Sequence, residues 1–307
     1  MRFTIYQESR QGKRRSNEDR IAYCYSRDAL LMVVADGMGG HLHGEVAAQI
    51  CVQLLSDSFQ REATPRLRDP FLFLSRGLTS AHCAIVDYGE EHELTDAPRT
   101  TCVACVVQDN IAYWAHAGDS RLYVLRDGRI QVQTRDHSRV QRMIDRGEID
   151  EDDAAVHPAR NRIFSCLGGP ITPHIDYSRK TPLKHGDVLC LCTDGMWGPL
   201  GNELILKGLV HGNVLETVRP LMDQAERLGG SGCDNLSTIA VTWLDSYESE
   251  PPAPQSISTA TLPLDRTETV MEDFGSKRNN RRGEEFSEDE IERTINEINN
   301  AIQKFTR

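Results

Sequence analysis

The chain has 307 residues, of which 39% are hydrophobic and 26% are charged, and its formal net charge at pH 7 is −11. A chain of this length can form one large domain with its own core and an appendage. The acidic balance argues against nucleic acid as a partner, because a phosphate backbone requires a basic face. No stretch approaches the roughly 20 apolar residues of a membrane helix, and residues 1–20 are polar, so we expect a cytoplasmic protein without a membrane partner.

The nine cysteines are scattered through apolar runs and show no disulfide pattern. An odd number of cysteines without a signal peptide favours reduced thiols in the core. Cys102 and Cys105 have the C-x-x-C spacing of a zinc or redox site, but in a strand they would point to opposite faces, and no second pair follows. The pair is therefore interpreted as structural.

Short apolar runs alternate with turn signals from Phe3 to Leu244 and predict a β-rich domain. Apolar residues at helical spacing predict two helices within it, over 44–59 and about 70–92. The predicted strands are Arg20–Ser26, Leu30–Ala35, Thr101–Gln108, Ile111–Ala117, Arg121–Arg126, Arg129–Thr134, Val188–Thr193 and Ser237–Leu244. Several are apolar on both faces, as in a sheet that lies between a second sheet and helices. The pattern predicts a layered α+β sandwich.

Between Arg135 and Gly169 the sequence becomes irregular and polar, with an acidic run over 148–153 among short helical pieces. We interpret this segment as an insertion near the functional site. Surface insertions of this kind often carry specificity.

Composition changes sharply after Leu244. Residues 246–285 are rich in Pro, Ser and Thr and predict a flexible linker. Residues 286–305 combine a capping-box pattern, Ser287 and Glu290, with isoleucines every three or four residues, and predict a short amphipathic helix. Two interpretations of this tail stay open: a solvated linker with a frayed helix, or a docking element that self-associates or binds a partner.

Aspartates stand at the ends of predicted strands that lie far apart in the sequence: Asp36, Asp119 and Asp194 follow strands, and Asp234 precedes one. Asp-Gly after a strand is also a common hairpin signal, and Asp127-Gly128 fits that interpretation. Carboxylates that converge at one edge of a sandwich, however, would repel one another unless cations were bound. Jointly, the strand-end aspartates favour a cation site.

The type of ligand narrows the choice of metal. Oxygen donors without a histidine or cysteine set favour Mg²⁺ or Mn²⁺ over zinc. Gly37 permits a close backbone approach, so the loop after Asp36 can add a carbonyl oxygen to the ligands. Two such ions about 4 Å apart can lower the pKa of a bridging water and aim it at a phosphorus atom. The pattern indicates a metal-dependent hydrolase.

An ordered set of short motifs resembles the PPM family, the type 2C serine/threonine protein phosphatases, and most closely its bacterial branch. The resemblance spans roughly residues 1–245, and so many motifs in one order make a chance match very improbable. The motifs are Arg14-Arg-Ser-Asn-Glu-Asp19, Asp36-Gly-Met-Gly-Gly-His41 with Gly44-Glu45, Thr100-Thr101, Gly118-Asp-Ser-Arg121, Asp136-His-Ser138, Thr193-Asp-Gly195, and Asp234-Asn235 with Thr238.

The resemblance implies a four-layer αββα sandwich with two central, mainly antiparallel sheets and a metal site at one edge. It also implies a flap over about residues 138–168 beside the active site. Two Mn²⁺ or Mg²⁺ ions are implied as cofactors, with a third, weaker ion that Asp119 helps to bind. The ligands implied for the metal pair are Asp36, Gly37 through its carbonyl, Asp194 and Asp234, with Glu18 and Asp19 in contact directly or through waters.

Arg14 matches the family arginine that binds the substrate phosphate, a role suited to a permanently charged, bidentate fork. Arg15 takes that role if the register is one residue off. Some family members carry a suggested proton donor two residues after the first metal-binding aspartate, where this chain has Met38. His41 lies nearby and is a candidate general acid, with a loop-stabilising role as the alternative. His137 is interpreted as a structural residue.

The implied activity is hydrolysis of phosphoserine and phosphothreonine in proteins by direct attack of water, without a phosphoenzyme, opposite a cognate Ser/Thr kinase. Two alternatives remain. One is a noncatalytic pseudophosphatase that docks a partner, although loss of metal carboxylates would signal it and none is missing. The other is a hydrolase of small phosphate monoesters. The sequence contains neither the Cys and Arg spacing of a cysteine-nucleophile phosphatase nor a P-loop.

Overall fold

The computed structural model describes residues 1–38, 43–210, 213–245, 258–261 and 268–274. Numbered in chain order, the strands are β1 Phe3–Arg10, β2 Arg20–Tyr25, β3 Ala29–Ala35, β4 Arg99–Thr100, β5 Cys102–Gln108, β6 Ile111–Ala117, β7 Arg121–Arg126, β8 Arg129–Gln133, β9 Leu167–Gly168, β10 Asp176–Tyr177, β11 Thr181–Pro182, β12 Val188–Cys192, β13 Leu236–Trp243, β14 Ser258–Thr261 and β15 Glu268–Phe274. The α-helices are α1 Gly44–Glu62, α2 Pro70–Glu91, α3 Arg139–Asp145, α4 Glu151–Val156, α5 Asp194–Leu209 and α6 Val214–Gly229.

Most strands belong to two antiparallel sheets. The first sheet has the order β15-β1-β13-β12-β7-β8, and the second has the order β10-β6-β5-β3-β2-β14, with β11 also beside β6. Some neighbours, such as β2 and β3 or β5 and β6, are close in sequence, whereas β1 and β13 pair from the two ends of the domain. The small β4-β9 pair stands apart from both sheets.

Strand β3 shows why the two sheets stack. All its residues are buried. Leu31 and Val33 pack in the core that α1 and α2 cover, while Leu30 and Met32 pack in the core between the sheets. Successive side chains of a strand point to opposite faces, so a strand that is apolar throughout needs a layer on each side.

The first sheet repeats this pattern on β12. Leu189 lies between the sheets, and Cys190 lies under α5 and α6. The layers therefore run α1 and α2, second sheet, first sheet, α5 and α6, and the predicted four-layer αββα sandwich is confirmed. Cys102 and Cys105 of β5 lie in different cores, on opposite faces of their strand.

Each strand and helix predicted before residue 245 is present to within a few residues, but the predicted set was incomplete. Strand β1 was missed because only Phe3 and Ile5 stand out before a polar run. The segment after Asp194 was not predicted to be a helix but is helix α5. Gly195 and Pro199 weaken its local helical signal, and Gly201 interrupts the helix with φ 65°. Helix α6 was also missed, although its buried residues recur every three or four positions, as in an amphipathic helix.

The residues predicted to be a flexible linker, 246–285, contain two described strands, so the linker prediction does not hold at these positions. Backbone pairing joins β14 to β2 and β15 to β1. Without them, β1 and β2 would be edge strands with unpaired backbone groups that accept another strand. Edge pairing needs few large apolar side chains, which is why composition did not reveal it. The helix predicted over 286–305 lies outside the described residues.

No helix in the described ranges is both long and apolar enough to cross a bilayer.

The pairing of β14 and β15 predicts a difference between two truncated chains. Residues Met1–Gly275 form one unit by their contacts. We expect a chain that ends at Asp245 to melt about 2–4 °C or more below a chain that ends at Gly275, because it loses two strand pairings. It should also self-associate more, through its exposed edges. Thermal unfolding and size-exclusion chromatography measure both effects, and identical behaviour of the two chains would contradict the edge pairing.

Candidate active site

The antiparallel pairing brings the strand-end carboxylates together. Arg20 at the start of β2 lies opposite Ala35 at the end of β3, and Cys192 at the end of β12 lies opposite Thr238 near the start of β13. Residues that follow β3 and β12 therefore lie at the same edge as residues that precede β2 and β13. The carboxylate cluster at this edge consists of Glu18, Asp19, Asp36, Asp119, Asp194 and Asp234.

Burial and mutual repulsion perturb this cluster. Burial, with the charges of Asp194 and Asp234, raises the pKa of Asp19 to about 7. Burial and Asp234 raise the pKa of Asp194 to about 6. Burial and the charges of Asp19 and Asp194 raise the pKa of Asp36 well above its ordinary value. Carboxylates that resist ionisation in one another's presence are what bound cations would relieve.

Two oxygen atoms of the cluster have no hydrogen-bond partner among the described residues: Glu18 Oε2 and Asp19 Oδ1, both buried. The other oxygen of Asp19, Oδ2, accepts a hydrogen bond of 3.0 Å from Thr193 Oγ1. A buried acceptor left without a donor costs about 1–3 kcal/mol, more when it is charged. The donor set is all oxygen, so these atoms fit hard divalent cations such as Mg²⁺ or Mn²⁺.

The Gly37 backbone lies at the centre of the first loop. Its N–H donates to the carbonyl of Glu18 at 3.3 Å. A Cβ atom at this position would lie 2.4 Å from the carbonyl of Gly44 and 2.7 Å from that of Glu18. Only glycine allows this close approach of the backbone beside Asp36.

Two threonines hold Asp36 in place. Its carbonyl accepts hydrogen bonds from Thr101 N at 2.8 Å and from Thr100 Oγ1 at 2.9 Å. Its own N–H donates to Thr101 Oγ1 at 3.2 Å. The threonines of the Thr100-Thr101 motif therefore fix the backbone of Asp36.

Asn235 fastens the loop that carries Arg14 and Glu18. Its side-chain amide donates to the carbonyls of Gln11 at 2.8 Å and Ser16 at 2.9 Å. Its Oδ1 accepts from Glu18 N at 2.9 Å. A buried amide with every group paired fixes both segments relative to each other. Sequence reasoning missed this role, although Asn235 adjoins Asp234.

Arg14 reaches the carboxylate cluster. Its Nη2 donates to Asp234 Oδ2 at 2.6 Å. This hydrogen bond, with the charges of Asp234, Asp194 and Asp36, raises the pKa of Arg14. Arg14 also lines an open cavity of about 610 Å³, whose lining residues do not include Arg15. The geometry therefore supports the register with Arg14.

The cavity extends from the carboxylate cluster along the flap. Its walls include Asp194 and Asp234 of the carboxylate cluster and Val140 and Ile144 of α3. The flap is closed at its base, where Ser138 pairs with Ile163 in an isolated bridge. The predicted insertion thus lies beside the site.

Asp119 is linked to Asp136, which precedes the flap, through Trp197 and Arg121. Its carbonyl accepts a hydrogen bond of 2.9 Å from Trp197 Nε1. The Arg121 guanidinium lies 3.4 Å over the Trp197 ring and donates both bonds of its fork to Asp136, each at 2.8 Å. Burial and the charges of Asp194 and Asp136 raise the pKa of the Asp119 carboxyl. The predicted third-metal residue is therefore buried at the margin of the cluster.

His41 lies outside the described residues, so its role as general acid stays a prediction. Met38 is fixed by a hydrogen bond of 2.9 Å from its N–H to the carbonyl of Arg99. His137 is buried, and its Nδ1 accepts a hydrogen bond of 3.2 Å from Gly118 N. It belongs to the flap base, as a structural residue would.

Known proteins resemble this chain in sequence and in fold. The family model for protein phosphatase 2C matches residues 7–237. The serine/threonine protein phosphatase PstP of Mycobacterium tuberculosis is 32% identical over 238 residues, which are 77% of this chain and 44% of PstP. The chain therefore matches less than half of the length of PstP. The serine/threonine phosphatase stp of Listeria innocua is 32% identical over 74% of this chain and 90% of stp.

The solved structures include the catalytic domain of the serine/threonine protein phosphatase PstP in complex with two manganese ions. It is 31% identical, has a TM-score of 0.67, and aligns over 79% of this chain and 100% of that domain. The family model covers most of the sandwich, and its range includes Arg14, Asp36, Asp194 and Asp234. This chain belongs to the protein phosphatase 2C family, also called PPM.

Proposed function

We propose that this chain is a serine/threonine protein phosphatase that hydrolyses phosphoserine and phosphothreonine with two divalent cations, Mn²⁺ or Mg²⁺. The observation that carries the proposal is the carboxylate cluster, with Glu18 Oε2 and Asp19 Oδ1 buried and unpartnered. The names of the relatives, and the two manganese ions in the PstP catalytic domain, support it.

In this mechanism Asp36, Asp194 and Asp234, with the Gly37 carbonyl, would hold the metal pair. Glu18 and Asp19 would complete the ligands directly or through water. When bound, the cations supply a water of lowered pKa and neutralise charge on the phosphate. Thr193 orients Asp19 through its 3.0 Å hydrogen bond, so the ligand geometry is set before the cations arrive.

Arg14 would bind the phosphate oxygens of the substrate. Its side chain is 53% exposed and bonded only to Asp234 in the described hydrogen-bond network. An Asp234 carboxylate that served as a metal ligand would attract the guanidinium less, and Arg14, which lines the cavity, would be available to a phosphate there. A planar fork that binds two phosphate oxygens positions the phosphorus for in-line attack.

The cavity favours a protein substrate over a small ester. A volume of about 610 Å³ that continues along α3 exceeds what a phosphate group needs. The apolar Val140 and Ile144 on its wall suit a peptide segment next to the phosphorylated residue. A noncatalytic pseudophosphatase is disfavoured, because every predicted ligand among the described residues lies at the site.

The proposed partners are phosphoproteins and a cognate Ser/Thr kinase, and the proposed location is the cytoplasm. The nine cysteines are all free, which fits a reducing compartment. Asp119 would help to hold the third, weaker ion. Docking or self-association through the C-terminal helix stays a prediction, because residues 286–305 lie outside the described ranges.

The first test of the proposal uses a phosphothreonine peptide and p-nitrophenyl phosphate with Mn²⁺, Mg²⁺ or a chelator. We expect metal-dependent hydrolysis of both substrates, with kcat/KM for the peptide at least about 10-fold higher. Asp194→Asn should reduce kcat at least about 100-fold, because it removes a ligand of the metal pair. Activity that survives chelation, or no activity in a folded, metal-loaded chain, would reject the proposal.

A glycine pair in α5 tests the geometry of the metal ligands. A Cβ at Gly195 would lie 2.0 Å from the carbonyl oxygen of Asn235, whereas nothing lies within 4 Å of one at Gly198. We expect Gly195→Ala to push Asp194 away from Asp234 and to lower Mn²⁺ affinity at least about 10-fold. Isothermal titration with Mn²⁺ measures this, and Gly198→Ala in the same helix is the matched control. Equal affinities in the two variants would contradict the predicted clash.

Protons and cations should compete at the carboxylate cluster. The raised pKa values of Asp194, about 6, and Asp19, about 7, mean that the folded metal-free chain holds protons that the unfolded chain releases. This contribution to stability is complete below the ordinary value of 3.8 and is lost as pH rises through about 6 and 7. The melting temperature of the chelated protein should therefore fall from about pH 5 to about pH 8.

Added Mn²⁺ should reverse this fall, because cations replace the lost protons, so Mn²⁺ stabilises the chain more at the higher pH. Asp194→Asn removes one titrating carboxyl and should flatten the pH dependence of the chelated protein. A melting temperature that rises with pH in the chelated protein would contradict the assigned pKa shifts.

A further inference from the structure

A second group of metal-ligating side chains lies outside the carboxylate cluster. His116 is on β6, His137 precedes the flap, and His174 and Asp176 follow it. Asp176 lies opposite His116 where β10 pairs with β6. One ligand atom from each of His116, His137 and Asp176 lies within 4.8 Å of the others. We call these four residues the histidine cluster.

Two distances in the histidine cluster are near those between neighbouring ligands of a tetrahedral metal ion. The His116 and His137 rings stack with centroids 4.7 Å apart, so one ring must turn for both to face one ion. Zinc–nitrogen distances of about 2.0–2.1 Å place neighbouring ligand atoms roughly 3.3 Å apart. His137 Nε2 lies 3.3 Å from Asp176 Oδ2. His174 Nε2 lies 2.9 Å from Asp176 Oδ1, and its side chain is 64% exposed, so it can move to become a fourth ligand.

His116 has one ring nitrogen available as a ligand. Its Nε2 donates to the carbonyl of Arg135 at 2.8 Å, which leaves the lone pair on Nδ1. That Nδ1 atom is buried and has no hydrogen-bond partner among the described residues. Metal-binding histidines commonly donate their other ring nitrogen to a carbonyl in this way. Burial lowers the pKa of His116. Burial and the neighbouring His116 ring lower the pKa of His137 to about 4, so both rings are neutral near pH 7.

Metal binding through His137 would disturb its hydrogen bond with Gly118. Its Nδ1 accepts the Gly118 N–H at 3.2 Å, so the neutral ring carries its proton on Nε2. Binding a metal through Nε2 moves that proton to Nδ1, where it faces the Gly118 N–H. Two donors cannot share this contact, so metal binding at the histidine cluster must displace Gly118 or the ring.

Gly118 has little room to move. It has φ +115°, and a Cβ there would lie 2.5 Å from Thr101 Cβ. Thr101 fixes Asp36, and Gly118 directly precedes Asp119. A shift of Gly118 is therefore transmitted to both the first metal aspartate and the predicted third-metal residue.

We propose that the histidine cluster is a binding site for a zinc-type transition-metal cation, and that occupation of this site weakens Mn²⁺ binding at the carboxylate cluster. The two sites differ in ligand preference: imidazole nitrogens select zinc, nickel or copper, and carboxylate oxygens select magnesium or manganese. A single chain can therefore distinguish the inhibitory ion from the activating ion. The binding site is independent of the proposed phosphatase function, and only the inhibition by zinc rests on it.

Zinc binding is tested first, by isothermal titration of the full chain with Zn²⁺ in excess Mg²⁺, which occupies the carboxylate cluster. His116 and His137 are buried, so their variants could misfold; Asp176→Asn and His174→Ala change side chains that are 45% and 64% exposed. We expect one Zn²⁺ per chain and a loss of affinity of at least about 10-fold in Asp176→Asn, with a smaller loss in His174→Ala. His185→Ala, at an exposed histidine outside the cluster, should bind Zn²⁺ like the parent chain.

Coupling is tested second, by Mn²⁺ titration with and without a fixed concentration of Zn²⁺, with Mn²⁺ binding followed by electron paramagnetic resonance. The Mn²⁺ concentration for half-saturation should rise several-fold with Zn²⁺ in the parent chain and stay unchanged in Asp176→Asn. Equal Zn²⁺ affinity in the parent and Asp176→Asn overturns the site. A Zn²⁺ effect on Mn²⁺ binding that persists in Asp176→Asn overturns the coupling, because zinc then competes at the carboxylates themselves. Neither measurement requires phosphatase activity.

Discussion

Repulsion among carboxylates at one edge of the sandwich is the constraint on which the rest of the structure depends. The charges of Asp19 and Asp194 raise the pKa of Asp36, and the charge of Asp194 also raises the pKa of Asp19. Carboxyl groups held this close resist ionisation without cations, and the fold must hold them there nonetheless. The stability lost at this edge is offset by the apolar cores between and outside the sheets, which is the usual balance at a functional site.

The scaffold meets this constraint through backbone geometry. Antiparallel neighbours place strand ends and strand starts at one edge, so ligands distant in sequence become adjacent without long loops. Neutral polar groups then fix the charged ones: Thr101 holds Asp36, Thr193 holds Asp19, and Asn235 holds the loop of Arg14. Such groups fix the backbone around the carboxylates, or in the case of Thr193 one carboxylate oxygen, without adding charge.

Much of this arrangement was predictable from sequence. Motif order identified the family, and strands such as β3 and β6 could be read from their apolar runs. The missed features share a physical cause, which is that their signal lies in backbone pairing or tertiary contact. Helix α5 carries Gly195 and Pro199, which weaken its local signal, and β14 and β15 pair through backbone groups that composition does not reveal. The roles of Asn235 and the histidine cluster depend on residues that only the fold brings together.

The closed base of the flap has a consequence for how this enzyme family can diversify. Ser138 pairs with Ile163, and Phe164 N donates to the carbonyl of His137 at 2.8 Å, so the two ends of the segment meet beside β6. The entropy of closing a loop grows only slowly with its length once the ends are fixed. Residues between the two anchors can therefore be inserted, deleted or replaced with little effect on the metal ligands. Substrate preference can change by exchange of this one segment while the hydrolytic chemistry stays the same.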